Sequence, residues 1–256
     1  MSNSTTIVTG AGTGIGRAIA LRLAKEGHAL GLMARNTERL EATAIEARNA
    51  GAAAVHVYGC NIQDEAAVNS AFAAAHTDLG AFTGLVANSG IGGPNSPGPN
   101  DRFAELVQTN LVGTYHCLRA AQSHLAPGPA PRHLIAIASI LGRFGVPGYT
   151  GYCASKTGIL GLVRALAHEL APDHIRVNAI CPGWVDTDMA REGIDGMAEG
   201  MGISHEQAYD IAMQQVPLSR MSEPEDVAGV IAWLMSSDAR GVTGQGIDIN
   251  GGAWMG

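Results

Sequence analysis

The sequence is poor in the features that usually mark a binding surface for macromolecules. Lysine occurs only at Lys25 and Lys156, and no run of basic residues is present. With a formal net charge of −7, a nucleic-acid partner is excluded. Cysteine is limited to Cys60, Cys117, Cys153 and Cys181. No two of these are two or three residues apart, so the spacing of a zinc knuckle or a redox pair is missing and no metal is expected. Buried reduced thiols in a reducing compartment are the expectation instead. No uncharged apolar stretch reaches the roughly 18 residues of a membrane span. The opening Met1-Ser2-Asn3-Ser4 lacks the basic and apolar regions of a signal peptide. A cytoplasmic location follows as an expectation.

What the chain does have is alternation. Its 256 residues are 46% hydrophobic, enough for one domain spanning 1–256. Short apolar runs at Thr6–Val8, Ala29–Ala34, Ala53–Tyr58, Phe82–Ala87, His133–Ser139, Ile175–Ile180 and Gly246–Asn250 read as strands. Between them, Arg17–Glu26, Thr37–Ala50, Asp64–Leu79, Phe103–Leu125, Tyr152–Leu170 and Pro224–Met235 read as helices. Strands separated by helices imply βαβ units. The predicted fold is α/β: a single doubly wound Rossmann-type domain, with a parallel sheet of about seven strands covered by helices on both faces. Two stretches break the rhythm. Gly92–Asn100 is dense in Gly, Pro and Asn and reads as a loop. Residues 187–216 form a long connection carrying Met189, Met197, Met201 and Met213, and read as a substrate lid. Methionines at such spacing are more often core packing than pocket wall.

Gly10, Gly12, Gly14 and Gly16 lie between the first strand and the first helix, with Thr13 and Ile15 among them. The spacing is G-x-x-x-G-x-G rather than the common G-x-G-x-x-G. Glycine lets the backbone approach a pyrophosphate, and the helix N-terminus behind it offers free N–H groups. A structural turn, or the Gly-rich loop of a methyltransferase, would look alike at this level. The second strand ends at Ala34-Arg35, without the Asp or Glu that binds a free ribose in NAD-dependent proteins. A small side chain leaves room for a 2′-phosphate, and a guanidinium can pair with it. NADP(H) is therefore the expected cofactor, with NAD as the alternative.

Tyr152 and Lys156 are four residues apart and share a helix face. An unperturbed phenol, with a pKa near 10, is too weak a base at neutral pH, and a nearby ammonium would lower that value. A ketone reductase needs such a group to protonate the new alkoxide. Ser139 stands at the end of the fifth strand, on the edge that faces the ligand crevice, where a hydroxyl can donate to a developing oxyanion. Asn110 lies within the long helix, where asparagine is a poor helix former, and a local kink would explain it equally well.

These residues together resemble the short-chain dehydrogenase/reductase family over nearly the whole chain. The family's T-G-x-x-x-G-x-G is present as Thr9 to Gly16, its strand-four motif as Asn88-Ser89-Gly90, and its P-G turn as Pro182-Gly183. Its Asn-Ser-Tyr-Lys set matches Asn110, Ser139, Tyr152 and Lys156 in order and spacing. The resemblance implies that Tyr152 is the acid/base, that Ser139 orients the carbonyl, and that Lys156 binds the nicotinamide ribose and lowers the Tyr152 pKa. It implies that Asn110 holds a relay water. Pro182, Gly183, Val185 and Thr187 would contact the nicotinamide end, Asn61 and Ile62 would border the adenine, and Asn88 would join the cofactor contacts. Three positions depart from the family pattern: Asn61 replaces Asp, Ala87 replaces the first Asn of the strand-four motif, and Thr13 stands where many NADP-dependent members carry a basic residue.

The expected activity is interconversion of a ketone and a secondary alcohol. The pocket should lie among Ile91–Asn95, Leu141–Tyr149, Trp184 and the lid, a mostly apolar set that favours an apolar ketone or alcohol. The C-terminal Gly246–Gly252 is similar to that of 3-oxoacyl thioester reductases, so such a thioester is one candidate. The resemblance also implies a homotetramer. The rival readings are an NAD-dependent secondary-alcohol dehydrogenase of catabolism, a methyltransferase, and a non-catalytic dinucleotide sensor; the last two have no use for the Asn-Ser-Tyr-Lys set.

Overall fold

The structure, a computed structural model, describes residues 4–256. The N-terminal reading against a signal peptide rests on residues 1–3, which lie outside the described residues, and on Ser4. Among the described residues, seven strands form one sheet: β1 (Thr5–Thr9), β2 (Ala29–Ala34), β3 (Ala54–Gly59), β4 (Gly84–Ala87), β5 (Arg132–Ile137), β6 (Ile175–Pro182) and β7 (Gly246–Ile249). Their order is β3-β2-β1-β4-β5-β6-β7. Every pairing is parallel, for example Ile7 with Gly31 and with Leu85. β1, β4, β5 and β6 are buried along their whole length, as expected of strands covered on both faces.

The helices are α1 (Gly14–Lys25), α2 (Thr37–Ala50), α3 (Glu65–Leu79), α4 (Phe103–Val107), α5 (Gly113–Gln122), α6 (Thr150–Leu170), α7 (Asp188–Met201), α8 (His205–Met213) and α9 (Pro224–Met235). One apolar cluster packs Phe72 and Ala75 of α3, Leu118 of α5 and Ile159 and Val163 of α6 on one face of the sheet. A second packs Ile19 and Leu23 of α1, Leu40 and Ala44 of α2 and Ile231 of α9 on the other. Chain order switches between β1 and β4, and in such sheets the crevice for a ligand opens at that point.

Two departures from the sequence reading bear on function. The predicted long helix over Phe103–Leu125 is interrupted by a π turn at Gln108–Val112 and ends at Gln122. The kink falls on Asn110, the poor helix former. The stretch 187–216 is not an irregular connection but two helices. Thr187 caps α7 through its side chain, Gly202 closes it in the left-handed conformation at φ +65°, and Ser204 opens α8 with a capping box. Their apolar faces meet in a third cluster containing Ala190, Ile194, Ala198, Ala208 and Met213, separate from the two sheet cores. Met213 is thus core packing, whereas Met189 and Met201 are exposed.

A separate small core predicts separate opening. Ile194→Ala should weaken the α7–α8 pair by about 2–5 kcal/mol. Hydrogen exchange should then show lost protection across α7 and α8 with β1 and β4–β6 unchanged. Equal loss in the central strands would mean that the helix pair is part of the global folding unit.

Candidate active site

The glycine loop is shaped by close approach. Gly10 and Gly14 have φ of +65° and +50°, which side-chain-bearing residues rarely adopt. A Cβ on Gly16 would sit 2.2 Å from the Gly10 carbonyl oxygen, and one on Gly12 would sit 3.1 Å from Cβ of Arg39. The loop ends at Thr13, the N-cap of α1, whose side chain makes no capping hydrogen bond among the described residues. The first amides of α1 therefore remain free for an anion. Thr187 faces this point: a Cβ on Gly14 would meet Thr187 Cγ2 at 3.0 Å. The N-termini of α1 and α7 thus look at each other across a polar cleft lined by Gly14, Arg17, Asp186, Thr187 and Arg191. Two backbones brought this close, with open amides and no room for a Cβ, fit the pyrophosphate of a dinucleotide.

Asn88 is tied to the glycine loop. Its amide Nδ2 donates to the carbonyls of Thr9 at 3.0 Å and Gly10 at 3.3 Å. The Asn88 and Ser89 amides both donate to Thr9 Oγ1 at 3.0 Å. Asn88 is therefore a brace that joins the end of β4 to the glycine loop, and its side-chain donor is spent on protein. The Ile62 side chain is engaged within the protein. It is buried and packs on α5, where a Cβ on Gly113 would come 2.8 Å from Ile62 Cδ1. Only its backbone remains to border a ligand. Asn61 is exposed, and its Oδ1 accepts from the Gln63 amide. Arg35 is exposed beyond the end of β2 and has no ion pair among the described residues. At the other end of the crevice, Pro182 and Val185 are buried. Gly183 donates to the Ile249 carbonyl, and Thr187 Oγ1 donates to the Val185 carbonyl.

The four expected catalytic residues converge. Tyr152 and Lys156 lie one turn apart on α6, with Nζ 5.5 Å from the centre of the phenol ring. Lys156 is buried, and Nζ donates to the carbonyl of Ile137, the last residue of β5, at 2.9 Å. Ser139 is not in the strand but two residues beyond it, in extended backbone, where its Oγ accepts from the Leu141 amide at 3.1 Å. Its hydroxyl also lies close enough to the Tyr152 phenol to favour the phenolate. Asn110, fully buried in the π turn, accepts from the Ile91 amide at 2.8 Å. It donates to the Ile91 carbonyl at 2.9 Å and to Ser155 Oγ at 3.2 Å. Both bonds from its Nδ2 are thus made to protein, and its backbone carbonyl accepts from Thr114 Oγ1 at 2.6 Å. Gly90 makes the space: a Cβ there would lie 3.0 Å from Asn110 Oδ1 and 3.6 Å from Lys156 Nζ.

Burial governs the ionisation of the pair. Desolvation raises the Tyr152 pKa above its ordinary value, and the Ser139 hydroxyl pulls it back only in part. Desolvation also pushes Lys156 from 10.5 down to about 8. In the isolated chain, removal from water is the largest influence on the phenol.

Sequence reasoning missed two supports. Asn95, buried in the Gly-Pro-Asn loop, accepts from the Gly151 amide at 2.8 Å and donates to Thr150 Oγ1 at 3.0 Å and Asp101 at 2.9 Å. It caps α6 from outside, since the residue before the helix, Tyr149, makes no side-chain cap among the described residues. Arg143 forks onto Asp248 of β7 at 3.1 Å and donates to the Gly246 carbonyl, tying the loop after Ser139 to the sheet edge. Nothing local in either sequence marks these pairings. The expected apolar wall is partly assembled: Met189 comes within 2.9 Å of a Cβ on Gly92, and Phe144 stacks on Trp254 with centroids 5.6 Å apart. No group of three or more metal-ligating side chains exists among the described residues. No described helix is long and apolar enough to cross a membrane.

The comparisons with known proteins agree with this arrangement. The family described as enoyl-(acyl carrier protein) reductase matches residues 10–253. The chain is 32% identical to a 3-oxoacyl-[acyl-carrier-protein] reductase of Staphylococcus aureus, over 97% of each chain. It is 33% identical to an actinorhodin polyketide ketoreductase solved with NADPH, at a TM-score of 0.92 over 98% of this chain and 97% of that one. It is 31% identical to an NAD+-bound xylitol dehydrogenase, at a TM-score of 0.89 over 97% of this chain and 98% of that one.

A buried ammonium without a carboxylate is costly, which gives a test. At about 1.4 kcal/mol per pKa, the drop from 10.5 to about 8 corresponds to about 3 kcal/mol against the charged form. Lys156→Met should therefore raise Tm by a few degrees near pH 7, part of the gain being offset by the orphaned Ile137 carbonyl. The wild type binds fewer protons folded than unfolded between pH 8 and 10.5, so its stability rises there and the gap should close. A Tm below wild type at pH 7 would show that the ammonium is stabilising where it lies.

Proposed function

Because this chain belongs to the short-chain dehydrogenase/reductase family, we propose that it interconverts a ketone and a secondary alcohol by hydride transfer with NADP(H). The observation that carries this reading is the convergence of the Ser139 and Tyr152 hydroxyls, backed by Lys156, on the C-terminal edge of the sheet. The bound nicotinamide supplies the hydride in reduction and accepts it in oxidation.

The chain's own residues do the rest. Ser139 Oγ donates to the substrate oxygen and orients the carbonyl towards Tyr152. Tyr152 Oη gives its proton to that oxygen as negative charge develops, and takes it back in the reverse direction. Burial keeps the phenol protonated, which suits the reductive direction. Lys156 stands under the phenol and holds the nicotinamide ribose. Asn110 fixes the backbone after β4 against α6, so that Gly90 and Ile91 form the floor of the site. For the cofactor, the exposed Arg35 and the lack of an acid at the end of β2 support NADP(H). The NAD+-bound xylitol dehydrogenase keeps an NAD-dependent secondary-alcohol dehydrogenase as the second reading.

The substrate we infer is an apolar ketone, with a 3-oxoacyl thioester as the first candidate. Ile91, Trp184 and Met189 supply apolar wall, and the names of the relatives support the thioester. α7 and α8 act as the lid over it. A homotetramer in the cytoplasm fits the family, and the outer edge of β7, unpaired among the described residues, suits contact with a second copy.

Tyr152→Phe should reduce turnover of a 3-oxoacyl thioester with NADPH by about 10²–10⁴-fold. NADPH binding, read by fluorescence, should be retained. Reductive kcat/KM of the wild type should fall as pH rises and the phenol loses its proton, and the oxidative rate should gain. Unchanged turnover in the variant would remove Tyr152 from the chemistry. Reduction of a 2-enoyl thioester in place of the ketone would shift the reaction to the carbon–carbon double bond named in the family's description.

A further inference from the structure

The first two turns of α6 are held in different ways. The second is fixed three times over. Lys156 Nζ donates to the Ile137 carbonyl at 2.9 Å, Asn110 Nδ2 donates to Ser155 Oγ at 3.2 Å, and Thr157 Oγ1 donates to the Gly142 carbonyl at 3.2 Å. The first turn carries Tyr152 as its third residue. Among the described residues, every hydrogen bond that reaches Thr150 or Gly151 from outside the helix comes from Asn95. Asn95 is buried, although its neighbours Pro94 and Ser96 are exposed. Its Oδ1 accepts from the Gly151 amide at 2.8 Å, and its Nδ2 donates to Thr150 Oγ1 at 3.0 Å and to Asp101 Oδ1 at 2.9 Å. Its own amide donates to the Gly148 carbonyl at 2.8 Å. Asp101 Oδ1 in turn accepts from the Phe103 amide, at the start of α4, at 3.0 Å. Gly151 permits the close approach: a Cβ there would meet Phe103 Cα at 3.0 Å and Asn95 Oδ1 at 3.3 Å. One side chain thus joins the loop after β4, the entrance of α4 and the entrance of α6.

Accepting the acid/base reading of Tyr152 above, on which this inference rests, we propose that Asn95 is a positioning residue for the reaction: it holds the first turn of α6 so that the Tyr152 phenol keeps its place beside Ser139 and over Lys156. The phenol and the ammonium take their places from separate anchors, Asn95 for the first turn and the Ile137 carbonyl for the second. Freeing the first turn leaves Lys156 where it is and changes the geometry between the two. An amide is suited to the post because it accepts from a helix amide and donates to a carboxylate at once. The cost of losing it falls on turnover, since proton transfer depends on placement within an ångström, whereas the cofactor's glycine loop is shaped by other residues.

The test reads turnover, binding and the phenol separately in the intact protein. Asn95→Ala should lower kcat for reduction of 3-oxobutanoyl coenzyme A with NADPH by about 10–10²-fold, as for a misplaced reacting group, with KM and NADPH affinity unchanged. Asn95→Asp keeps an acceptor for Gly151 but sets a carboxylate against Asp101, and should lose turnover likewise. Adding Asp101→Asn to it restores a donor and an acceptor with their direction reversed, and should recover most of kcat. This second pair of variants carries the test should Asn95→Ala not fold. The Tyr152 phenol, followed by ultraviolet difference titration against Tyr152→Phe, should lose its proton at lower pH in Asn95→Ala, because a loosened turn returns it to water. Unchanged kcat in Asn95→Ala overturns the inference. So does a fall in kcat that KM and NADPH affinity share, or one in Asn95→Asp that Asp101→Asn does not relieve, since either marks a support of the fold with no part in placing the phenol. If the wild type reduces no ketone, the proposed function fails by itself and the titration decides this inference alone: an unmoved phenol overturns it, and a lowered one upholds it.

Discussion

An ammonium removed from water with no carboxylate beside it is the constraint around which this site is built. Lys156 is buried, and its one protein hydrogen-bond acceptor among the described residues is the carbonyl of Ile137. The strand must end where that carbonyl is free, so β5 stops at Ile137 and the chain turns away through Ser139. The turn at 140–142 packs directly on the α6 backbone, since a Cβ on Gly142 would come 2.9 Å from the Lys156 carbonyl oxygen. Ser139 is thereby delivered to Tyr152 by the same backbone geometry that satisfies the ammonium. The hydroxyl, the phenol and the ammonium are a single construction, in which Lys156 is buried beneath a half-buried Tyr152.

A second requirement is that two segments far apart in sequence keep a common floor. The glycine loop follows β1, and the Asn88-Ser89-Gly90 turn follows β4, the neighbouring strand at the switch in chain order. Neither segment has a side chain of bulk to hold it, because a ligand must approach the backbone. Hydrogen bonds take the place of packing. Asn88 and Thr9 lace the two turns together, and Asn110 clamps Ile91 from the π turn on the far side. Asparagine suits both posts because its amide offers donor and acceptor to a backbone that needs both. The π turn is then intelligible: an extra residue in the helical turn carries Asn110 onto Ile91 while α4 and α5 keep their own packing.

Much of this was legible in the sequence where the governing interaction is local or periodic. The strand and helix alternation follows from short apolar runs separated by segments of helical period, the glycine loop from its place between the first of each, and the Tyr152–Lys156 pair from a spacing of four. Ala34-Arg35 was readable because a strand end is a defined place. The parts that escaped are those decided at a distance. Asn95 looks like one more loop asparagine until Gly151 is seen to need an acceptor. Arg143 finds Asp248 across more than a hundred residues of chain. The motif gives Asn88 its position, but the partners of its Nδ2 are decided by how β1 and β4 lie side by side.

The pair α7–α8 is the instructive failure. Gly193, Gly196 and Gly200 lie inside α7, and three interior glycines cost a helix about 1 kcal/mol each relative to alanine. Local propensity therefore argues for a loop. The helix forms because Ala190, Ile194 and Ala198 recur every four residues and bury against α8, with Thr187 and Gly202 closing the ends. One of those glycines is also required by packing, since a Cβ on Gly193 would meet the Trp184 ring at 3.3 Å. A helix weak in itself is thus held by one small core, apart from the two cores of the sheet. Its first turn carries Thr187 against Gly14 and Met189 against Gly92, at the two ends of the crevice. Tertiary burial against α8 and contacts with the two ends of the crevice thus place a helix where its own sequence argues against one.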